Sequence, residues 1–275
     1  MSENKERKSG ILLHITSLPG SEGIGTLGSE VYKFCDWLYE AKQSLWQVLP
    51  LGPTGYGDSP YASFSTFAGN PLLIDLESLV KKGWALQSDT LLPDYIKSGS
   101  SVDFGAVVYW KMPVLYKCAQ YFLQNGQSQD KKKFSQFKNE NKDWLDDFAL
   151  FTSIKNFYDK KAASQNISGE QTRWNNFWPK NLARHEKSAL EKWTLENTAE
   201  LEQIKAVQFF FFEQWNALKK YASLKNIKII GDIPIFVAAD SSDLWANKEI
   251  FQINKKTLQL KAVAGVPPDY FSATG

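Results

Sequence analysis

The residues best suited to chemistry lie in one stretch, Gly55 to Pro71, with the sequence GYGDSPYASFSTFAGNP. It follows the apolar run Leu45–Leu51, which reads as a buried strand, so the chain leaves the core here and enters a long loop. The loop carries four aromatic rings, from Tyr56, Tyr61, Phe64 and Phe67, interleaved with hydroxyls and the carboxylate of Asp58. Rings can cover the apolar faces of a sugar, and hydroxyls and carboxylates can bind its hydroxyl groups. A carbohydrate site and an ordinary surface loop both fit this composition. A second candidate is Asp232, which follows the apolar run Ile227–Ile230 in a glycine-flanked turn. An acid at the end of a strand suits a catalytic carboxylate, and it equally suits an aspartate that bonds its own turn.

These residues need a scaffold. Gly10–Ile15 reads as a first buried strand, Ser29–Lys42 as a helix with Val31, Phe34, Cys35 and Leu38 on one face and Ser29 as cap, and Leu45–Leu51 as a second strand. Strand, helix, strand implies a parallel sheet. The alternation then stops. Leu72–Val80 suggests a brief strand and turn, and most of 109–125, 131–158 and 189–225 reads as helix. That is too much for one crossover and predicts a helical subdomain inserted after the second strand. Glu202–Ala222 is apolar nearly all round at Phe209–Phe212 and should be covered on several sides. Ile227–Ile230 is a third strand, Asp240 or Ser241 should cap a short helix, and Phe251–Leu260 suggests a hairpin. Trp174, Phe177 and Trp178 are expected to pack the insertion against the main domain. Strands with function-like loops at their carboxyl ends point to a (β/α)8 barrel, but only three are convincing. The alternatives are an open α/β domain and a barrel cut short.

Composition narrows the classes. The chain has 275 residues, 43% hydrophobic and 23% charged, with a net charge of +2. That balance makes no case for nucleic acid or an anionic membrane as partner, and no window is long and apolar enough to span a bilayer. Lys131–Lys133 reads as a solvated helix face. The two cysteines, Cys35 and Cys118, give no disulfide framework, and with His14 and His185 they match no familiar metal spacing. His14, as a lone histidine, is read as a hydrogen-bonded structural residue or as a cleft residue. The charged N-terminus and an apolar run cut by His14, Thr16 and Ser17 lack a signal-peptide core, so a reducing cytoplasm is expected.

Four segments taken together resemble the 4-alpha-glucanotransferases, the amylomaltase or disproportionating-enzyme family. They are Ser9–Pro19 with Gly23–Gly25, Gly55–Pro71, Gly231–Ala238 with Asp240 and Ser241, and Val263–Ser272. Weaker matches fall between them at Val102–Gly105, Trp144–Asp147 and Trp174–Pro179, in the same order. Thr26 stands where the family often has Asp, and Ala62 where it often has Gln; the second departure bears on contacts in the glucan groove.

The resemblance implies an α/β fold, a partial (β/α)8 TIM barrel with a mostly helical insertion. Residues 1–75 would form the first βα units and substrate loop, 76–200 the insertion, and 201–275 the return to the barrel. It implies transfer of α-1,4-glucan segments between maltooligosaccharides by retaining transglycosylation, without cofactor or metal. Its members are about twice this length, and their nucleophile and acid/base lie on later strands. No catalytic residue is therefore assigned here, and the chain alone is expected to be inactive. By the same resemblance Ser59 and Tyr61 line the groove, with Tyr61 stacking on a sugar. Asp232 lines the subsite of the sugar whose bond is cut and binds rather than attacks. Tyr56 belongs to a second glucan groove, and Asp269, Tyr270 and Phe271 to a loop that closes over the glucan. A non-catalytic glucan-binding module and a barrel hydrolase of unrelated substrate are the rival readings.

Overall fold

The structure is a computed structural model that describes residues 7–96, 101–234, 236–262, 265, 267–268 and 270, without the side chain of Tyr56. Three short strands, β1 (Gly10–Leu12), β2 (Leu45–Gln47) and β3 (Lys228–Ile230), form a parallel sheet in that order. Trp46 sits at the centre of the middle strand, in register with Ile11 on one side and Ile229 on the other. Its indole is fully buried and donates to Leu13 O at 2.8 Å. β2 ends earlier than the apolar run Leu45–Leu51 suggests. Val48 still donates to Ile230 O, but Pro50 has no N–H to continue a ladder.

α1 (Ser29–Glu40) connects β1 to β2 and buries Val31, Cys35 and Leu38, a face spaced i, i+4, i+7. Its N-cap is Gly28; Ser29 is already inside the helix and bonds Glu30 instead. Between β2 and β3 the described residues form helices, turns and irregular chain, with one isolated antiparallel bridge between Thr54 and Ser63. Leu72–Val80 is not a strand. Asn70 accepts from Leu72 N and opens a 3-10 turn at Pro71–Leu73, and Asp75 accepts from Ser78 N and caps α2 (Leu76–Lys81). Two local caps in succession outcompete an extended backbone.

Five more helices carry most of the mass: α3 (Phe104–Asn125), α4 (Ser128–Glu140), α5 (Lys142–Ser164), α8 (Lys187–Glu196) and α9 (Thr198–Leu224), with the short α6 (Trp174–Phe177) and α7 (Lys180–Ala183) between. The expected single helices 131–158 and 189–225 are each interrupted, at Asn141 and Asn197. Both asparagine amides donate to the carbonyl four residues back, at 2.9 Å, on Phe137 and Trp193. Each asparagine's own N–H shares that carbonyl, and its backbone leaves the helical range at φ −114 and −124, which ends one helix before the next begins.

The main core joins the sheet to α1, α3 and α9, with Phe209, Phe210 and Phe211 all buried. α9 is therefore covered on several sides, as its all-round apolarity predicts. A second core gathers Phe151, Trp174 and Trp178 around Trp245 of α10 (Ser242–Ala246), which Ser241 caps through Leu244 N. Trp174 and Trp178 are thus packing residues, and Trp174 Nε1 donates to Ala239 O. Cys35 and Cys118 are buried free thiols, pushed by burial up to about 11 and about 12. Ile253 and Leu260 form one antiparallel bridge, the remnant of the expected hairpin.

Candidate functional site

The loop Gly55–Pro71 is long but firmly tied. Its ends meet where Asn70 N donates to Leu51 O at 2.7 Å. An antiparallel bridge between Thr54 and Ser63 closes a narrower neck, with Gly55 N on Ala62 O at 2.8 Å and Phe64 N on Pro53 O at 3.0 Å. The chain reverses at the tip through Gly57 and Asp58, both left-handed at φ 68 and 54. A loop with close ends and its own hydrogen bonds is a rigid platform rather than a tether.

Two distant elements hold it. Asp243 of α10 accepts from both the N–H and the hydroxyl of Thr66, at 2.7 and 3.0 Å, and Ser242 N donates to Phe64 O. Burial pushes the Asp243 carboxyl up, and the two bonds from Thr66 oppose that shift. On the other side Gln208 of α9 bonds Gly69 both ways: its Oε1 accepts from Gly69 N at 2.8 Å and its Nε2 donates to Gly69 O at 3.0 Å. Gln214 repeats this with Asp75 N and O. Gly69 has no alternative here, because a Cβ on it would lie 2.0 Å from a ring carbon of Phe211. These glutamines were not singled out from the sequence. Their signal was present: they are polar residues flanking the apolar run Phe209–Phe212 of one helix, and both are buried.

Held this way, Tyr61 reaches Asp232. The phenol donates to Asp232 Oδ2 at 2.7 Å, and Tyr61 N donates to Ser59 Oγ at 3.3 Å. Ser59, Tyr61 and Asp232 thus form one group just past the carboxyl end of β3. Tyr61 is 48% exposed, so its ring presents a face to solvent. Donation to Asp232 is the main cause raising the phenol's pKa above its ordinary value, since losing the proton would set two negative charges side by side. Asp232 also borders a small cleft of about 190 Å³ with Phe67, Phe211 and Trp215. The carboxylate has lone pairs beyond the bond from Tyr61 and can accept from a ligand hydroxyl. Among the described residues, no second carboxylate hydrogen-bonds into this group.

The other expected site residues fall largely outside the described residues. Tyr56 lies in the 3-10 turn Tyr56–Asp58, and its side chain is outside the described residues. Asp269 and Phe271 also lie outside them, while Tyr270 is fully exposed and shares no hydrogen bond with the group. His14 takes the structural reading. It caps the turn Ile15–Ser17 through Thr16 N, burial lowers its pKa, and Nε2 lies 3.4 Å from Pro50 O. His185 pairs with Asp147 at 2.7 Å. No group of three or more His, Cys, Asp or Glu among the described residues is placed to hold a metal, and no described helix is long and apolar enough to cross a membrane.

Comparison with known proteins places the chain as a whole, by sequence and by fold, beside one family. A family model described as 4-alpha-glucanotransferase matches residues 13–275. The 4-alpha-glucanotransferase of Streptococcus pneumoniae is 44% identical over 274 residues, covering 98% of this chain and 51% of that protein. That of Thermus thermophilus is 42% identical over 269 residues, covering 98% and 50%. Among solved structures, the amylomaltase of Streptococcus agalactiae in complex with acarbose superposes with a TM-score of 0.86 at 39% identity, over 97% of this chain and 51% of that one. The chain spans about half the length of the curated relatives it matches.

Proposed function

The chain belongs to the 4-alpha-glucanotransferase family, and on that premise we propose that it holds α-1,4-glucan for retaining transglycosylation, in which a glucan segment moves to the 4-hydroxyl of glucose or of another glucan. The observation that carries this reading is the 2.7 Å bond between Tyr61 and Asp232, which sets an exposed ring beside a carboxylate at the end of the sheet. The ring stacks on the apolar face of a glucosyl unit, and Asp232 and Ser59 take its hydroxyls. The acarbose bound to the S. agalactiae relative supports the same ligand class.

In this reading Asp232 binds and does not attack. Retaining chemistry needs two carboxyl groups about 5–5.5 Å apart, one as nucleophile and one as acid and base, and we assign neither role within residues 1–275. The three parallel strands are the opening of a (β/α)8 barrel, whose sites lie at the carboxyl ends of the strands, where Asp232 stands. Residues 76–200 are the insertion into that barrel. Tyr56 contributes to a second glucan groove. Asp269, Tyr270 and Phe271 cover the bound glucan, excluding water so that a sugar hydroxyl is the acceptor. The buried free thiols of Cys35 and Cys118 fit a reducing cytoplasm.

The test uses the 275-residue chain with maltotriose. It should bind the sugar and release no glucose. Formation of glucose and longer oligomers would place the catalytic pair inside this chain, and absence of binding would remove the glucan reading.

A further inference from the structure

One amine beside the second core has no part in the glucan reading. Lys248 follows α10, is half-buried, and donates to Trp245 O in the last turn of that helix. Its Nζ lies 5.3 Å from the centre of the Trp174 ring and 5.9 Å from that of Trp245. We propose that Lys248 is a modification site, acylated by a small acyl phosphate, and that acylation loosens the hold of α10 on the loop Gly55–Pro71.

The surroundings single this lysine out. Lys111, Lys138, Lys155, Lys205 and Lys225 are also buried or half-buried and each ion-pairs with an acid, whereas Lys248 forms no ion pair among the described residues. Two indoles and one carbonyl take the place of a carboxylate. The charged groups that act on it are Glu249, next in the chain, and Asp147 of α5, which is engaged with His185 at 2.7 Å. Burial outweighs both carboxylates and lowers the amine to about 8.

An uncharged amine is a nucleophile. At about pH 8 roughly half of Lys248 is neutral, against about 0.3% of a lysine at the ordinary 10.5. A less basic amine attacks more slowly, which takes back part of that gain and leaves about tenfold. The amine nitrogen attacks the acyl carbon. The N–C bond forms, the C–O bond to phosphate breaks, and phosphate leaves with the electron pair and takes up the surplus amine proton.

The product does not suit the site. Acylation removes the charge and lengthens a side chain that is bounded by the buried indoles of Trp174 and Trp245. Close-packed rings resist added volume, so they shift or the side chain swings out. Either movement acts on α10, because Trp245 belongs to it and Lys248 bonds its last turn. Asp243, on the same helix, accepts both bonds from Thr66. Disturbing α10 therefore slackens that anchor of the loop.

Incubation of the chain with acetyl phosphate at about pH 8, followed by peptide mass spectrometry, tests the site. Lys248 should be acetylated about tenfold faster than Lys255 and Lys256, which are exposed. Deuterium exchange of the Thr66 amide, read by NMR, should quicken several-fold in the acetylated protein. Lys248→Met keeps an unbranched side chain but no amine, so its Thr66 exchange should stay slow after the same treatment. A Lys248 rate no higher than that of Lys255 and Lys256 overturns the proposal. So does Thr66 exchange that acetylation leaves unchanged, or that quickens equally in Lys248→Met. No sugar enters these measurements, so their outcome is independent of the glucan reading.

Discussion

Tyr61 and Asp232, separated by 171 positions in the chain, are joined by a 2.7 Å hydrogen bond from phenol to carboxylate. The neutral phenol is the form that donates, so this contact is intact below the ordinary tyrosine pKa and is lost as pH rises through the raised value. Asp232→Ala should return Tyr61 to the ordinary range, read from an NMR titration of ring-labelled tyrosine. An unshifted titration in the variant would show that the bond is not formed in solution. On the ligand side, Tyr61→Ala should weaken maltotriose binding by about 1–2 kcal/mol, and Tyr61→Phe by clearly less if the ring provides most of the contact.

Gln208 moors the exit of the loop. Gln208→Leu removes both bonds to Gly69 and leaves a buried N–H and carbonyl without partners, at a cost of about 2–4 kcal/mol in urea unfolding. Maltotriose affinity should fall in parallel, because the segment that aims Tyr61 loses one of its two anchors. Stability lost with affinity retained would mean that the Asp243 side holds the loop by itself.

Lys111 is fully buried. It pairs with Glu22 at 2.6 Å and donates to Leu72 O at 2.8 Å. Lys111→Leu strands the Glu22 carboxylate and should destabilise the fold by about 3–5 kcal/mol. Adding Glu22→Gln to it should recover part of that loss, a coupling that a double-mutant cycle measures directly. Strictly additive effects would contradict a working pair.

Lys248 lies near the indoles of Trp174 and Trp245 and donates to Trp245 O. Burial lowers its pKa to about 8. Between that value and the ordinary 10.5 the unfolded chain binds the extra proton, so this group adds stability as pH rises through the window and costs stability below it. Lys248→Met should therefore stabilise the protein at neutral pH, with the gain shrinking as pH climbs towards 10.5. A gain independent of pH would trace to packing instead.

Features set by short-range rules were legible along the chain. Apolar runs placed the three strands, a period near 3.6 placed α1 and α9, and the ring-and-hydroxyl composition of Gly55–Pro71 picked out the loop. The sequence misplaced elements where one side chain outbids a pattern: Asn141 and Asn197 break helices that periodicity would continue, and Asn70 with Asp75 turns an apolar run into caps. Which distant residues meet follows from the packing of the elements. Parallel pairing of β2 with β3 brings the loop after one strand to the turn after the other, and so Tyr61 to Asp232. Packing of α9 against that sheet delivers Gln208 to Gly69. A hydrogen bond is directional and reaches about 3 Å, so partners more than a hundred positions apart are chosen by how the elements stack and not by anything written beside them in the chain.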